Sequence, residues 1–117
     1  MTKTITTEKL QSLRKGTGGF LLIDVTSKES FDKDHIPGAR SVPLDCVDFA
    51  GAVAEKASGS KARKVVLYAS GPDSDQSSKA AKKLATNGFT DVVDYAGGLS
   101  AWNESKRARL ARTAKLA

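Results

Sequence analysis

Short apolar runs alternate with segments of helical periodicity along this chain. Four runs bounded by glycine, proline or charged residues predict β-strands over residues 20–25, 39–43, 64–68 and 92–95. The stretches around them predict helices, the first capped by Thr6 or Thr7 and the others over 27–31, 45–57, 77–87 and 99–105. This alternation predicts an α/β fold in which helices cover both faces of a parallel sheet.

The segment over 45–57 bears on the only cysteine of the chain. Its helical period places Val47, Phe49 and Val53 on overlapping faces. A helix with these bounds would put Cys46 at its N-terminus, where a thiolate is stabilised. The acidic residues at 45 and 48 oppose a thiolate, so a quiet, partly buried cysteine is the preferred interpretation.

The predicted sheet also indicates where chemistry belongs. Ligands of parallel α/β sheets bind beyond the carboxyl ends of the strands. The clearest predicted strand ends at Tyr68, and turn-forming residues over 69–76 follow it before the next helix. Gln76 or Ser77 is the expected N-cap of that helix. We therefore expect the functional site at this loop.

Composition restricts the possible mechanisms. The 117 residues include one cysteine and one histidine. Cys46 alone cannot form an intramolecular disulfide, and two such residues are too few for a zinc site with about four ligands. We expect no metal and no cofactor. A Ser-His-Asp mechanism would need His35, which lies on a different connection from the loop serines, so helix capping by Ser77 or Gln76 is preferred to serine catalysis.

The net charge of +6 is concentrated at one end. Five of the nineteen Lys and Arg residues lie in 106–117 with no acid among them, leaving fourteen basic and thirteen acidic residues in 1–105. We expect one domain over 1–105 and a basic tail over 106–117, either a solvated helix extension or a contact for an acidic partner. The near-neutral body argues against nucleic-acid binding. No apolar run approaches the roughly 20 residues of a membrane span, so we expect a cytoplasmic protein without a membrane partner.

Several motifs follow one another in a fixed order across residues 5–104. They read Leu-Leu-Ile-Asp-Val at 21–25, Asp-His-Ile-Pro-Gly-Ala-Arg-Ser-Val-Pro-Leu at 34–44, Val-Val-Leu-Tyr at 65–68, Ser-Lys-Ala-Ala-Lys-Lys-Leu at 78–84 and Gly-Gly-Leu-Ser-Ala-Trp at 97–102. With them the chain resembles the single-domain rhodanese-like family of thiosulfate sulfurtransferases. The resemblance implies one α/β domain with a five-stranded parallel sheet. It also implies a cysteine nucleophile directly after the central strand, stabilised as thiolate or persulfide by loop amides and the following helix N-terminus.

The chain departs from that family at the nucleophile. The implied position is Ala69, whose methyl group can hold neither a thiolate nor a persulfide. The loop lacks the arginine that many relatives place near its end, and Asp73 and Asp75 add negative charge where the family binds an anion. Ser74 stands where some relatives have the second cysteine of a Cys-x-Gly-Pro-x-Cys loop.

The candidate site is therefore the loop itself, with no assigned catalytic residue. Its residues are Ala69, Ser70, Gly71, Pro72, Asp73, Ser74, Asp75, Gln76 and Ser77, supported by Asp24 and His35. We predict a rhodanese-like domain without sulfurtransferase activity, acting as a binding or regulatory module for a small anion, a sulfur donor or a protein partner. The alternative is a sulfurtransferase whose nucleophile is a cysteine at position 69 or, with less support, Cys46.

Overall fold

A five-stranded parallel sheet forms the centre of the computed structural model, which describes residues 3–16 and 19–116, with side chains as far as residue 111. The strands are β1 (Lys3–Thr4), β2 (Leu21–Asp24), β3 (Arg40–Ser41), β4 (Val65–Tyr68) and β5 (Val92–Asp94). The helices are α1 (Thr7–Lys15), α2 (Lys28–Lys33), α3 (Phe49–Lys56), α4 (Gln76–Thr86) and α5 (Gly98–Leu116). The strand order is β1-β5-β4-β2-β3. The predicted α/β class and the parallel five-stranded sheet are confirmed.

The two central strands explain why continuous apolar runs mark this sheet. Every residue of β2 and β4 is buried, and the strands pair in parallel from Leu21 opposite Val65 to Asp24 opposite Tyr68. Helices cover both faces, so residues pointing to either side need apolar surroundings.

Two apolar clusters lie on opposite faces of the sheet. One contains side chains of α3 and α4, among them Phe49, Val53 and Leu84. The other contains Leu10 of α1 and Trp102 of α5. Successive strand residues alternate between the clusters, because side chains along a strand point to opposite faces. The prediction of helices on both faces is confirmed.

The fifth strand is one that the apolar pattern does not predict. Lys3 and Thr4 are both exposed and pair with Val93 and Asp94 at the edge of the sheet. The Ile5 amide continues the ladder by donating to the Asp94 carbonyl oxygen at 3.1 Å. This strand is short and polar, so its pairing comes from backbone groups and leaves no periodic signal.

The predicted start of the helix over 45–57 is wrong. Helix α3 begins at Phe49, because the Asp48 side chain accepts a hydrogen bond from the Gly51 amide at 3.0 Å and caps the first turn. The preceding residues form a turn in which the Cys46 amide donates to the Pro43 carbonyl oxygen at 3.1 Å. Val47 is consequently fully exposed and does not lie on the apolar face of the helix.

Helix α5 continues well past the residues predicted for it. Its backbone is helical through Leu116 and so crosses the expected boundary between residues 105 and 106. Leu110 is exposed, whereas the Arg109 guanidinium lies 5.9 Å from the centre of the Trp102 ring. The division into a domain and a tail stays a prediction, and the side chains of 112–117 lie outside the described residues. No described helix combines the length and the apolar character needed to cross a membrane.

Candidate functional site

The loop over residues 69–76 leaves the sheet at its centre. Strand β4 lies between β5 and β2, so its carboxyl end opens into the middle of the sheet edge where ligands of such folds bind. Ala69 follows the strand directly and is 2 % exposed. Its side chain therefore belongs to the apolar cluster beneath the loop.

Backbone hydrogen bonds hold the beginning of the loop on the first turn of α5. The Ala69 carbonyl oxygen accepts from the Leu99 amide at 3.0 Å, and the Ser70 carbonyl oxygen accepts from the Ser100 amide at 2.9 Å. These two bonds join segments that are about thirty residues apart in sequence. They fix the loop through main-chain atoms, without any contribution from the side chain at position 69.

Close packing at Gly98 completes this anchor. Gly98 has a φ of +64°, and a Cβ atom there would lie 2.6 Å from the Ala69 carbonyl oxygen and 2.8 Å from the Gly71 nitrogen. Only glycine fits both the left-handed backbone and this contact. Gly98, the second glycine of the 97–102 motif, thus positions the loop.

The middle of the loop is a turn that engages its own side chains. The Ser74 amide donates to the Gly71 carbonyl oxygen at 3.1 Å, and Pro72 occupies the position that favours proline in such a turn. The Ser74 hydroxyl accepts from the Gln76 amide at 3.3 Å. Among the described residues, the amides of Ser70 and Asp73 donate to no protein acceptor. The loop thus has backbone donors that the fold itself does not use.

The start of α4 differs from the expectation. The helix begins at Gln76, with Asp75 at the cap position but without a side-chain capping bond. Gln76 and Ser77 are therefore not the N-cap, and Ser77 is buried within the first turn. The exposed Asp75 carboxylate instead lies 3.1 Å from the Lys79 ammonium group. Asp73 is exposed as well, so the rim of the loop carries two carboxylates and one neutralising lysine.

Asp24 supports the same edge of the sheet. It is the last residue of β2 and is 1 % exposed. Its Oδ1 accepts from the Thr26 amide at 2.9 Å and also from the Thr26 hydroxyl. The carboxylate thereby stabilises the turn that leaves the strand.

The described interactions of His35 are with Phe31 and not with the loop serines. Its Nδ1 donates to the Phe31 carbonyl oxygen at 2.8 Å, and its ring stacks on the Phe31 ring at 3.8 Å between centroids. In the described part of the chain, no hydrogen bond connects this imidazole with a loop hydroxyl. The arrangement is that of a residue that stabilises a turn.

Cys46 lies in the turn between β3 and α3 and is half-buried. Strand β3 is at the edge of the sheet, and β2 separates it from β4. Adjacent strands are about 4.8 Å apart, so two strand spacings, about 10 Å, separate the ends of β3 and β4. The chain that leads to Cys46 therefore leaves the sheet at a different place from Ala69.

Two buried polar residues near this edge were not predicted. The Tyr68 hydroxyl accepts from the Ile36 amide at 3.0 Å and so joins β4 to the turn before β3. Burial raises the pKa of Tyr68, the Ile36 hydrogen bond opposes that shift, and the Asp24 charge adds to it. Asp94 ends β5 with 5 % exposure, and its Oδ1 has no hydrogen-bond partner among the described residues. An apolar run ending in a polar residue is the only sequence signal for either.

No group of three His, Cys, Asp or Glu side chains suited to a metal ion occurs among the described residues. The site consists of a buried methyl group, an anchored main chain, amides without acceptors and an acidic rim. Such an arrangement can hold a ligand through backbone groups, and the position after β4 offers no nucleophile.

Comparison with known proteins agrees with this geometry. The rhodanese-like domain family matches residues 6–105. Thiosulfate sulfurtransferase GlpE from Pseudomonas savastanoi pv. phaseolicola is 37% identical over 100 residues, which cover 86% of each chain. The crystal structure of the Alr3790 protein from Anabaena has a TM-score of 0.74 and 30% identity, covering 86% of this chain and 85% of that one. The human single-domain sulfurtransferase TSTD1 has the same fold, with a TM-score of 0.74 and 24% identity over 89% of this chain and 97% of that one. The chain belongs to the rhodanese-like domain family.

Proposed function

We propose that this rhodanese-like domain binds a ligand or partner at the 69–77 loop and does not transfer sulfur as its sequence stands. The observation that carries the proposal is Ala69 at the end of β4, where a methyl group replaces any nucleophile. A persulfide needs a sulfur atom at that position. The only cysteine of the chain, Cys46, follows a strand at the sheet edge.

The main-chain anchor of the loop supports a binding role. The bonds from Leu99 to Ala69 and from Ser100 to Ser70 do not use the side chain at position 69. The same atoms would hold the loop whether alanine or cysteine follows β4. Free amides in the loop offer hydrogen bonds to an anionic or carbonyl group.

The acidic rim selects among ligands of this loop. Asp73 and Asp75 disfavour an anion, while Lys79 offsets one of the two charges. We therefore expect Asp73→Asn to bind thiosulfate more tightly than the wild type in calorimetric titrations. Equal affinities would show that thiosulfate does not approach this rim.

The direct test measures thiocyanate formation from thiosulfate and cyanide. We expect the wild-type chain to give no rate above the uncatalysed background, and Cys46→Ser to behave identically. A wild-type rate that Cys46→Ser abolishes would overturn the proposal and assign the chemistry to Cys46. A wild-type rate that persists in Cys46→Ser would overturn the proposal as well, and it would show that the reaction proceeds without a cysteine nucleophile.

A second candidate function is thiosulfate sulfurtransfer through a cysteine at position 69. The anchored loop favours it, together with the activity in the name of the GlpE relative. The variant Ala69→Cys tests it, with Ala69→Ser as the matched control because the two side chains differ only in the nucleophilic atom. Activity in the cysteine variant alone would show that the loop still supports sulfur transfer. Silence in both would show that the acidic loop has diverged from that chemistry.

A further inference from the structure

A groove of about 590 Å³ opens on the sheet face covered by α1 and α5. Its walls come from the end of α1, the beginning of β2, the turn before β3 and the middle of α5. The residues that matter most are Arg14, Lys15, Phe20, Pro37, Trp102 and Arg109. No residue of the 69–77 loop lines it. The groove is therefore distinct from the site proposed above.

The groove concentrates positive charge. Arg14, Lys15 and Arg109 line it, and no acidic side chain occurs among its described lining residues. This local excess contrasts with the near balance of charges over residues 1–105. Guanidinium groups bind phosphate, sulfonate and carboxylate groups through paired hydrogen bonds. The charge pattern thus indicates an anionic ligand group.

Trp102 holds the two guanidinium groups at the groove wall. The Arg14 guanidinium carbon lies 5.1 Å from the centre of the Trp102 ring, and that of Arg109 lies 5.9 Å from it. Both distances fit cation–π contacts. Arg14 also donates a hydrogen bond to the Pro37 carbonyl oxygen. These contacts order long side chains before a ligand arrives, which lowers the entropic cost of binding.

The same groove offers apolar surface. The half-buried Phe20 and the exposed Pro37 lie in its walls together with Leu22. Its volume falls in the range of about 300–1,000 Å³ that small-molecule sites occupy. We propose that this groove binds a small organic anion in which an aromatic ring carries a phosphate or sulfonate group. The charged group would lie against Arg14 and Lys15, and the ring against Phe20 and Pro37.

The test uses the only tryptophan of the chain as its reporter. Phenyl phosphate is titrated into the full-length chain while Trp102 fluorescence is recorded. We expect saturable binding that weakens with added NaCl. Arg14→Gln should weaken it about tenfold and Lys15→Gln about two- to fivefold. The matched control Lys82→Gln removes one exposed charge from α4 on the other sheet face and should leave the affinity unchanged.

Three results would overturn the proposal: no saturable signal, inorganic phosphate binding as tightly as phenyl phosphate, or Lys15→Gln matching the wild type. Lys15→Gln keeps the test decisive should Arg14→Gln, which loses packing on Trp102, fail to fold. Asp73→Asn separates the two sites: it alters only the loop rim, so a tighter phenyl phosphate affinity in this variant would place the ligand at the loop and overturn the groove proposal. A failure here therefore leaves the thiocyanate assay of the loop proposal unaffected.

Discussion

Replacing Gly98 with alanine probes the contact that holds the site loop on α5. Gly98 has a φ of +64°, a backbone conformation that costs an L-residue about 1–2 kcal/mol. The added Cβ would also lie 2.6 Å from the Ala69 carbonyl oxygen and 2.8 Å from the Gly71 nitrogen. Both neighbours are backbone atoms, so neither can move aside as a flexible side chain would.

A matched glycine separates the two contributions. Gly59 has a φ of +83°, and a Cβ atom there would meet nothing within 4 Å. We expect Gly59→Ala to lower the free energy of unfolding by about 1–2 kcal/mol, the conformational cost alone. Gly98→Ala adds about 1–3 kcal/mol of overpacking, for a total of about 2–5 kcal/mol. That is a large part of the roughly 5–15 kcal/mol by which domains are typically stable.

Urea unfolding of the wild type and the two variants, followed by far-UV circular dichroism, measures these changes. Circular dichroism is chosen because Trp102 lies one helical turn from Gly98 and its fluorescence would respond to local shifts. Equal losses for Gly98→Ala and Gly59→Ala would refute the reasoning. That result would mean that the loop relaxes around the methyl group and that its anchor on α5 is not tight.

Three further changes test other parts of the structure. Tyr68→Phe leaves the Ile36 amide without its acceptor and should cost about 1–3 kcal/mol in urea unfolding at neutral pH. Burial raises the pKa of Tyr68, so above a pH of about 10 the unfolded chain loses this proton first and the stability of the wild type falls. Tyr68→Phe should flatten that fall by up to about 1.4 kcal/mol per pH unit, and equal slopes in the two proteins would contradict this. Asp48→Ala removes the cap on the Gly51 amide and should cost about 0.5–2 kcal/mol in the same measurement. Val47→Ser should change stability by less than about 0.5 kcal/mol, since the side chain is exposed, and a larger loss would support a helix starting at residue 45.

The strands with the strongest apolar signal in the sequence are those buried on both faces. Residues of β2 and β4 meet helices above and below the sheet, so apolar side chains are favoured at successive positions until Asp24 and Tyr68 end the strands. The edge strand at Lys3 and Thr4 has no such requirement, because its backbone pairs with β5 while its side chains face solvent. This strand forms because the edge of β5 is free to pair with it, and the local sequence pattern around Lys3 and Thr4 does not indicate that edge.

Helix α3 shows a different limit of periodicity. Val47 fits the apolar face of a helix in sequence. The Asp48 carboxylate, however, accepts a hydrogen bond from the Gly51 amide, and the helix begins at Phe49, two residues after Val47. Aspartate competes for backbone amides and so begins helices inside an otherwise helical pattern. The position of Cys46 changed for this reason, from a helix N-terminus to a turn.

The sequence allowed the candidate loop to be located from the predicted order of strands and helices, but not the contacts around it. The end of β4 at the centre of a parallel sheet locates the loop, and the residue that follows the strand, Ala69, is read directly from the sequence. The basic groove was beyond prediction, because Arg14 and Arg109 meet around Trp102 only after α1 and α5 pack together.

Fold and chemistry are separable at position 69 for a physical reason. Ala69 serves the structure through its carbonyl oxygen, bonded to Leu99, and through a small buried Cβ that alanine and cysteine share. Gly98 serves it through the absence of a Cβ, so any side chain there meets backbone atoms. A chain can therefore lose a sulfur nucleophile at 69 without disturbing the loop, whereas it cannot replace Gly98 without displacing it.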